Sequence, residues 1–425
     1  MYYAGTASIA ITPESPMWLA GFAVRTEPSK ERLSELYAKA LALKWDDDQP
    51  LVIVTMDLIA VSRDIAGAVA RDVLRRHGLP RHRLLFAISH THYGPEVRPD
   101  KAPFFHIPPE YARKIDPYAD GLKTKLVALI DDALSNMEPV QLFSRRGTAT
   151  FGHNRRPQNA DPIVDHDVPV LEVTDAKTGA RRAIVFGYAC HNTTIPPEDR
   201  RFCGDWAGFA QEHLQNENPG AVALFITGAA ADQNPDPRGS VDHSRRHGRA
   251  LADAVTAALS SPAAREVSGP IASAFDEVPL EFLPVPPREQ LIADATSDDV
   301  AVHTKAAFLL RATKEGRTLP TSYPCPVHAV GFGNELLLIA LGGEPVVDWA
   351  VKFKSHFAPP HVWVAGYCND MFGYLPTARV QREGGYEGGR AMLWSALPMP
   401  FTEDCEQRVT DSTLRLISQI WTSTP

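Results

Sequence analysis

Short apolar runs alternate along this chain with stretches whose apolar residues recur at helical spacing. Runs of this length are typical of buried strands, and the longer amphipathic stretches are typical of helices. We expect strands at residues 51–56, 84–88, 183–189, 221–227, 335–341 and 361–366. We expect helices at residues 62–77, 118–137, 206–214, 244–259, 298–313 and 404–421. The alternation favours an α/β fold in which a mixed central sheet is flanked by helices.

Several predicted strands end at residues that can bind a metal. These residues are His90 and His92 after 84–88, His191 after 183–189, Glu344 after 335–341, and Tyr374 after 361–366. Because ligands gather beyond the carboxyl ends of parallel strands, we expect the residues to meet there. In an extended segment His90 and His92 would point the same way, so one could hold a metal while the other handles a proton. Alone, the pair could equally be two histidines in a polar loop.

Two imidazoles, one carboxylate and one phenolate form a zinc set with room for water. Each residue also has a purely structural explanation. His191 could be a buried core histidine, Glu344 an anion at a helix N-terminus, and Tyr374 a packing aromatic. Ligation by the thiol of Cys190 or Cys368 is a further alternative, although small buried cysteines usually act as apolar residues.

The chain resembles a known family from about Tyr3 to about Trp394. Ser89-His90-Thr91-His92-Tyr93-Gly94-Pro95 is similar to the most specific motif of the neutral/alkaline (non-lysosomal) ceramidases, in their N-terminal catalytic domain. Further similar segments follow the family's order, at 5–13, 19–23, 36–40, 154–156, 191, 343–345, 365–369 and 386–388. The resemblance implies a single catalytic domain over 1–425. Prolines 284, 286 and 287 mark a change of character that indicates an insertion at about 262–326, where we expect substrate specificity to differ from that of ceramidases. The resemblance also implies a ceramidase-like protein without the family's C-terminal immunoglobulin-like domain.

The resemblance implies a Zn²⁺ ion and a set of residues around it. The metal ligands would be His90, His191, Glu344 and Tyr374. His92 would transfer protons, while Tyr386, twelve positions after Tyr374, and Arg155 of the Asn-Arg pair would stabilise an oxyanion. Arg155 and Asn234 would contact substrate. Asp57 and Asp205 could orient the ligand histidines, or could cap helices.

The implied activity is ceramidase-like hydrolysis of an amide bond in an N-acyl compound, by attack of metal-activated water. One position departs from the family, because Asn234 stands where ceramidases have the Ser of Gly-Asp-Val-Ser-Pro-Asn. A carboxamide forms hydrogen bonds but is no nucleophile, so we expect no covalent catalysis there. Asn234 could instead orient a substrate carbonyl or belong to a rigid turn. Alternative functions are a zinc-dependent esterase or deacetylase acting on a small soluble substrate, and a non-catalytic ligand-binding protein.

Composition narrows the class of partner. The formal net charge of -8 and the pI near 6.0 argue against nucleic-acid binding. The 5 cysteines are scattered and odd in number, so no disulfide framework is expected. No apolar run is long enough to span a membrane, and no signal peptide is visible. We therefore expect a cytoplasmic protein, or a secreted one if the chain was trimmed, that acts on a small-molecule amide or ester. The sequence does not indicate an oligomeric state.

Overall fold

Strands and helices alternate through most of the chain. The computed structural model describes residues 1–156, 162–357 and 362–421. Its strands are β1 (Tyr2–Ala10), β2 (Tyr37–Trp45), β3 (Leu51–Met56), β4 (Leu84–Ile88), β5 (Glu138–Thr148), β6 (Gly152–Asn154), β7 (Asp167–Asp175), β8 (Arg181–Tyr188), β9 (Val222–Thr227), β10 (Gln233–Pro235), β11 (Arg265–Glu266), β12 (Ile271–Glu281), β13 (Ser322–Phe332), β14 (Leu336–Leu341), β15 (Glu344–Pro345), β16 (Val362–Ala365) and β17 (Tyr374–Leu375). Its α-helices are α1 (Arg63–His77), α2 (Pro109–Ala112), α3 (Ile115–Ser135), α4 (Asp205–Glu217), α5 (Val241–Ser260), α6 (Arg288–Asp294), α7 (Val300–Lys314), α8 (Asp348–His356), α9 (Ala378–Glu383) and α10 (Cys405–Ile420).

Two mixed sheets carry the fold. The larger has the order β4-β3-β2-β1-β5-β7-β8-β9, and β11 also pairs with β5. The smaller has the order β12-β13-β14-β16. Most neighbours are antiparallel, but the pairs β3/β4, β8/β9 and β14/β16 are parallel. The strands expected to lead into the site, β4, β8, β14 and β16, all belong to parallel pairs, which explains why their carboxyl ends can lie together.

Alternation along β2 shows how the larger sheet is covered on both faces. Ala40 and Ala42 pack towards α1 and α3, whereas Leu41 and Leu43 pack towards the smaller sheet. Successive strand residues point to opposite faces, so both sets are buried. The small alanines leave room for helices, and the leucines fill the space between the sheets.

The smaller sheet repeats this arrangement on its outer side. Leu338 of β14 packs against the larger sheet, and Leu337 and Ile339 pack against α8 and α10. The layers therefore run helices, larger sheet, smaller sheet, helices. Isolated bridges from Ala87 to Cys368 and from Gly228 to Ala365 join the two sheets near their strand ends. The α/β class with a mixed sheet flanked by helices is confirmed.

The element limits lie close to those predicted. Helix α1 begins after Ser62, whose side chain accepts a hydrogen bond from the Ile65 N–H, and ends at Gly78 with φ of 67°. The predicted strand 361–366 is observed as β16, and His361 lies outside the described residues. Within the predicted insertion, β12 and β13 are paired neighbours in the smaller sheet, and α6 and α7 lie between them in sequence. Among the described helices, none combines the length and apolarity required to cross a membrane.

Candidate metal centre

Backbone carbonyls hold the imidazoles of His90 and His191 just beyond the ends of β4 and β8. His90 Nδ1 lies 2.8 Å from Ile59 O, and His191 Nδ1 lies 2.7 Å from Ala230 O. Because a carbonyl only accepts hydrogen bonds, each Nδ1 carries the proton and each Nε2 keeps a free lone pair. Histidine ligands of metals are usually oriented in this way.

The carboxylate of Glu344 faces both of these Nε2 atoms. Glu344 Oε2 lies 3.4 Å from His90 Nε2 and 3.4 Å from His191 Nε2. Within the described ranges this buried oxygen has no hydrogen-bond partner. Ligand atoms bound tetrahedrally to zinc at 2.0–2.1 Å are separated by about 3.3–3.4 Å. The distance from the carboxylate oxygen to each imidazole nitrogen therefore fits a tetrahedral zinc ion.

The protonation states also suit a metal. Burial opposes ionisation of Glu344, but the adjacent imidazoles outweigh it and hold its pKa well below the usual value. Burial, followed by the charge of Arg155, lowers the pKa of His191 to about 4. Neutral His191 and ionised Glu344 are the forms in which these two groups bind a cation. The donor set thus fits Zn²⁺ in both spacing and chemistry.

The imidazole of His92 lies beside this pair. Its ring centroid is 5.0 Å from that of His90 and 5.9 Å from that of His191. Nitrogen atoms of all three rings lie within 4.8 Å of one another, so a metal could also contact His92. Neither ring nitrogen of His92 has a hydrogen-bond partner in the part of the chain that the structure describes. Burial, with the neighbouring imidazoles, lowers its pKa well below the usual value.

Gly21 and Phe22 pack closely against the ring of His92. The Phe22 ring centroid lies 4.7 Å from that of His92. A Cβ atom on Gly21, which has φ of 100°, would lie 2.3 Å from His92 Nδ1. The prediction that His90 and His92 share a direction through extended backbone is wrong, because His90 has φ of 58°. Because the left-handed backbone at His90 interrupts the strand-like alternation of side-chain directions, tertiary packing and not strand geometry brings the two rings together.

Arg155 connects two of the other predicted site residues, Tyr374 and Asn234, with Glu387. Its Nη2 donates to Tyr374 Oη at 2.9 Å, and its Nη1 donates to Asn234 Oδ1 at 3.3 Å. Its Nε donates to Glu387 Oε1 at 2.8 Å. The Tyr386 ring lies 5.3 Å from the Tyr374 ring and is 43% exposed. The parallel pairing of Glu344 with Tyr374 in β15 and β17 brings this group beside the carboxylate.

Asn234 lies in a short strand rather than a turn. Strand β10 pairs with β6 so that Asn234 faces His153 and Gln233 faces Asn154. Asn154 directly precedes Arg155, and this pairing brings Asn234 within reach of the guanidinium. The alternative that Asn234 belongs to a rigid turn is therefore wrong, because 233–235 form a strand.

Neither aspartate proposed to orient the histidines does so. Asp57 accepts from the Tyr37 N–H and from Gln211, and Asp205 accepts from the Thr194 and Trp206 N–H groups. The carbonyls of Ile59 and Ala230 fill that role instead. Burial raises the pKa of Asp205 to about 6.

The cysteine alternative also finds no geometric support. Cys190 Sγ lies 3.7 Å from His191 O, and Cys368 Sγ lies 3.1 Å from Gly366 O. Burial raises both thiol pKa values. Both cysteines therefore act as small buried residues that contact backbone carbonyls.

Sequence reasoning missed several residues around the centre. Glu387 pairs with Arg155, although it was noted only as part of the segment 386–388. Tyr367 is fully buried, with its ring 4.5 Å from His90. Arg98 and Lys101 line a cavity of about 70 Å³ that also includes His90, His92, Glu344, Tyr374 and Tyr386. Their proximity to the histidine motif in sequence was the available signal for these two cations.

Comparison with known proteins shows which solved structures share this fold. No protein-family model matches the chain. No curated protein matches it either. Among solved structures, a chain described as ceramidase complexed with C2 matches with a TM-score of 0.76 and 19% identity, covering 100% of this chain and 76% of that chain. Neutral ceramidase from Pseudomonas aeruginosa matches with a TM-score of 0.74 and 19% identity, covering 100% of this chain and 75% of that chain. The chain therefore has a neutral ceramidase-like fold, as its motifs predicted.

Proposed function

We propose that this protein is a zinc-dependent hydrolase that cleaves the amide bond of an N-acyl compound. The observation that carries the proposal is the position of Glu344 Oε2, 3.4 Å from Nε2 of both His90 and His191. Two lone pairs and an unpartnered carboxylate oxygen converge there, and burying them without a cation would be costly. The fold shared with ceramidases indicates the reaction class.

In the proposal His90, His191, Glu344 and Tyr374 hold the metal. Zn²⁺ bound there would supply Lewis acidity and lower the pKa of a coordinated water towards ~7. Tyr374 would be the fourth protein ligand; burial raises its pKa well above the usual value, and the Arg155 guanidinium opposes that rise.

His92 is the proton carrier in this mechanism. Its two ring nitrogens have no partner within the described ranges, so one can accept a proton and later deliver it to the leaving amine. The close contacts with Gly21 and Phe22 restrict the ring. A restricted base keeps its lone pair within reach of the reacting atoms.

Arg155 and Tyr386 stabilise the oxygen on which negative charge develops. A guanidinium has five N–H donors, and the contacts to Tyr374, Asn234 and Glu387 engage three of them. The remaining donors, together with the partly exposed Tyr386 hydroxyl, are available to a substrate carbonyl oxygen. Donors fixed before the reaction stabilise an oxyanion without reorganisation.

The test is hydrolysis by the zinc-loaded protein of a matched panel: short and long N-acyl amides, the corresponding esters, and ceramide. We expect one equivalent of zinc and cleavage of at least one amide. In His90→Ala the zinc affinity should fall at least tenfold and the cleavage rate at least a hundredfold. His303→Ala, on the exposed face of α7, is the matched control and should behave like the wild type. Cleavage that persists in His90→Ala, or one bound zinc with no amide cleaved, would contradict the proposal.

A further inference from the structure

A buried ammonium group that forms no ion pair with any carboxylate of the described residues lines the site cavity. Lys101 is 8% exposed, and its Nζ donates to Trp394 O at 3.0 Å. Within the described ranges no ion pair joins it to a carboxylate, and the adjacent Asp100 is exposed. An ammonium has three donors, so two remain for a ligand.

The second cation of this wall is already neutralised. Arg98 is 6% exposed, and Glu96 accepts from its Nε at 2.8 Å and from its Nη2 at 2.9 Å. Such a bidentate pair satisfies the guanidinium in charge and in geometry. Of these two cations, Lys101 is therefore the one that is not paired with a carboxylate of the described residues.

A neighbouring lysine has one more carbonyl partner than Lys101. Lys305 of α7 donates to Ser395 O and to Leu397 O, each at 2.6 Å, and does not line the cavity. Both lysines thus contact carbonyls of the segment 394–397. Lys305 contacts that segment outside the cavity, whereas Lys101 has fewer hydrogen-bond partners and borders the cavity.

The charges within the cavity leave Lys101 unbalanced. Glu344 is the carboxylate that borders the same cavity, and in the proposed function it is a metal ligand. Burial lowers the pKa of Lys101 to about 8, with Arg98 adding to the effect, so the ammonium stays mostly protonated at neutral pH. A buried charge without a partner is costly, and a bound anion would relieve that cost.

The remaining walls suit a short apolar group. Phe105 and Trp394 line the cavity with their rings stacked, 6.2 Å apart at an interplanar angle of 6°. The cavity volume of about 70 Å³ is far below the several hundred Å³ of sites that enclose large ligands. A long acyl chain would find little enclosed space here.

From these contacts we infer that the substrate is a small amide carrying a free carboxylate, which Lys101 binds while the amide lies at the histidine cluster. The inference rests on the proposed function and names the substrate class for that site. The carboxylate can belong to the amine half, as in an N-acyl amino acid, or to the acyl half, as in the monoamide of a dicarboxylic acid. Both place one negative charge at Lys101.

The kinetic test compares each acid with its neutral amide. N-butyrylglycine is matched with N-butyrylglycinamide, and succinic acid mono-ethylamide with N-ethylsuccinamide. We expect kcat/KM for the acid of at least one pair to exceed that of its neutral partner by tenfold or more. That ratio should fall to near one in Lys101→Met, recover partly in Lys101→Arg, and stay within threefold of the wild type in Lys305→Met. Equal rates for acid and neutral partner in both pairs, or an unchanged ratio in Lys101→Met, would overturn the inference.

A binding test separates this inference from the hydrolase proposal. Calorimetry with the zinc-loaded protein would compare succinate, glutarate and adipate with butyrate, valerate and hexanoate. At least one dicarboxylate should bind tenfold more tightly than its matched monocarboxylate, and the gain should vanish in Lys101→Met. That result without any amide cleavage would keep the anion site and reject the hydrolase. Cleavage of neutral amides with no such gain would keep the hydrolase and reject the anion site.

Discussion

Arg155 Nη2 donates to Tyr374 Oη over 2.9 Å, which links a guanidinium to the phenol expected to bind the metal. Burial raises the pKa of Tyr374, and the positive charge of Arg155 opposes that rise. Because a ligand phenol must lose its proton, Arg155 should increase metal affinity through Tyr374.

The first prediction concerns this coupling. Tyr374→Phe and Arg155→Met should each weaken zinc binding by about 10–100-fold, measured by competition with a chromogenic chelator. The double variant should bind zinc no more weakly than Tyr374→Phe alone. The reason is that Arg155 is expected to act on zinc binding only through Tyr374, so its effect disappears once the phenol is gone. Arg145→Met is the matched control, because Arg145 pairs with Glu172 of β7. Additive losses in the double variant would show that Arg155 acts by another route.

The second prediction tests the close approach of Gly21 to His92. Gly21→Ala would place Cβ 2.3 Å from His92 Nδ1, so the ring must move. We expect kcat to fall at least tenfold while the protein still binds one equivalent of zinc. Gly220→Ala is the matched control, since Gly220 has φ of 90° and nothing within 4 Å of an added Cβ. The left-handed backbone alone should destabilise each variant by about 1 kcal/mol, and Gly21→Ala should lose more because its Cβ also meets His92 and Ile59. The fall in kcat should be confined to Gly21→Ala. An equal fall in the two variants would point to general destabilisation.

The third prediction is a pH dependence of stability that originates at Asp370. Burial raises the pKa of this carboxyl from 3.8 to about 7, although hydrogen bonds from Tyr323 and the Arg63 N–H oppose the rise. The folded state therefore holds the proton more tightly than the unfolded state. This contribution to stability is fully present below about pH 4 and is lost as the pH rises through about 7.

Urea unfolding at pH 5 and pH 8 measures this contribution. From pH 5 to pH 8 the wild type should lose more unfolding free energy than Asp370→Asn, by about 2 kcal/mol. Asp72→Asn, at an exposed carboxylate of α1, is the control and should follow the wild type. Parallel profiles for wild type and Asp370→Asn would assign the pH dependence to other groups.

The fold class and the strand ends were predictable because their signals are local. A buried strand such as β4 is a continuous apolar run, and a polar residue after it marks the strand's end. The predicted ligands His191 and Glu344 follow such runs, and the sheet order brings them together. Local patterns indicate each strand end separately. The prediction that the residues at these ends form one metal site came from the resemblance to ceramidases.

The remaining features depend on tertiary contacts that local patterns do not encode. The left-handed backbone at His90 and the carbonyls of Ile59 and Ala230 that orient the imidazoles depend on how loops pack. Backbone carbonyls are present at every residue, so no sequence signal marks the two that matter. Asp57 and Asp205 were expected to orient the histidines, but Asp57 accepts hydrogen bonds from Tyr37 and Gln211, and Asp205 accepts them from Thr194 and Trp206.

The last prediction concerns Asn234, which stands where ceramidases have a serine. Its Oδ1 accepts from Arg155 Nη1 at 3.3 Å, a long contact, and a carboxamide cannot act as a nucleophile. Asn234→Ala should therefore reduce kcat/KM by about tenfold, the effect of one hydrogen bond to a charged group. The reduction should be far smaller than that caused by His90→Ala. Intact-mass measurements during turnover should show no acyl adduct on wild type or variant. A loss as complete as that of His90→Ala, or an adduct on the wild-type chain, would mean that Asn234 has a larger part in the reaction than orienting Arg155.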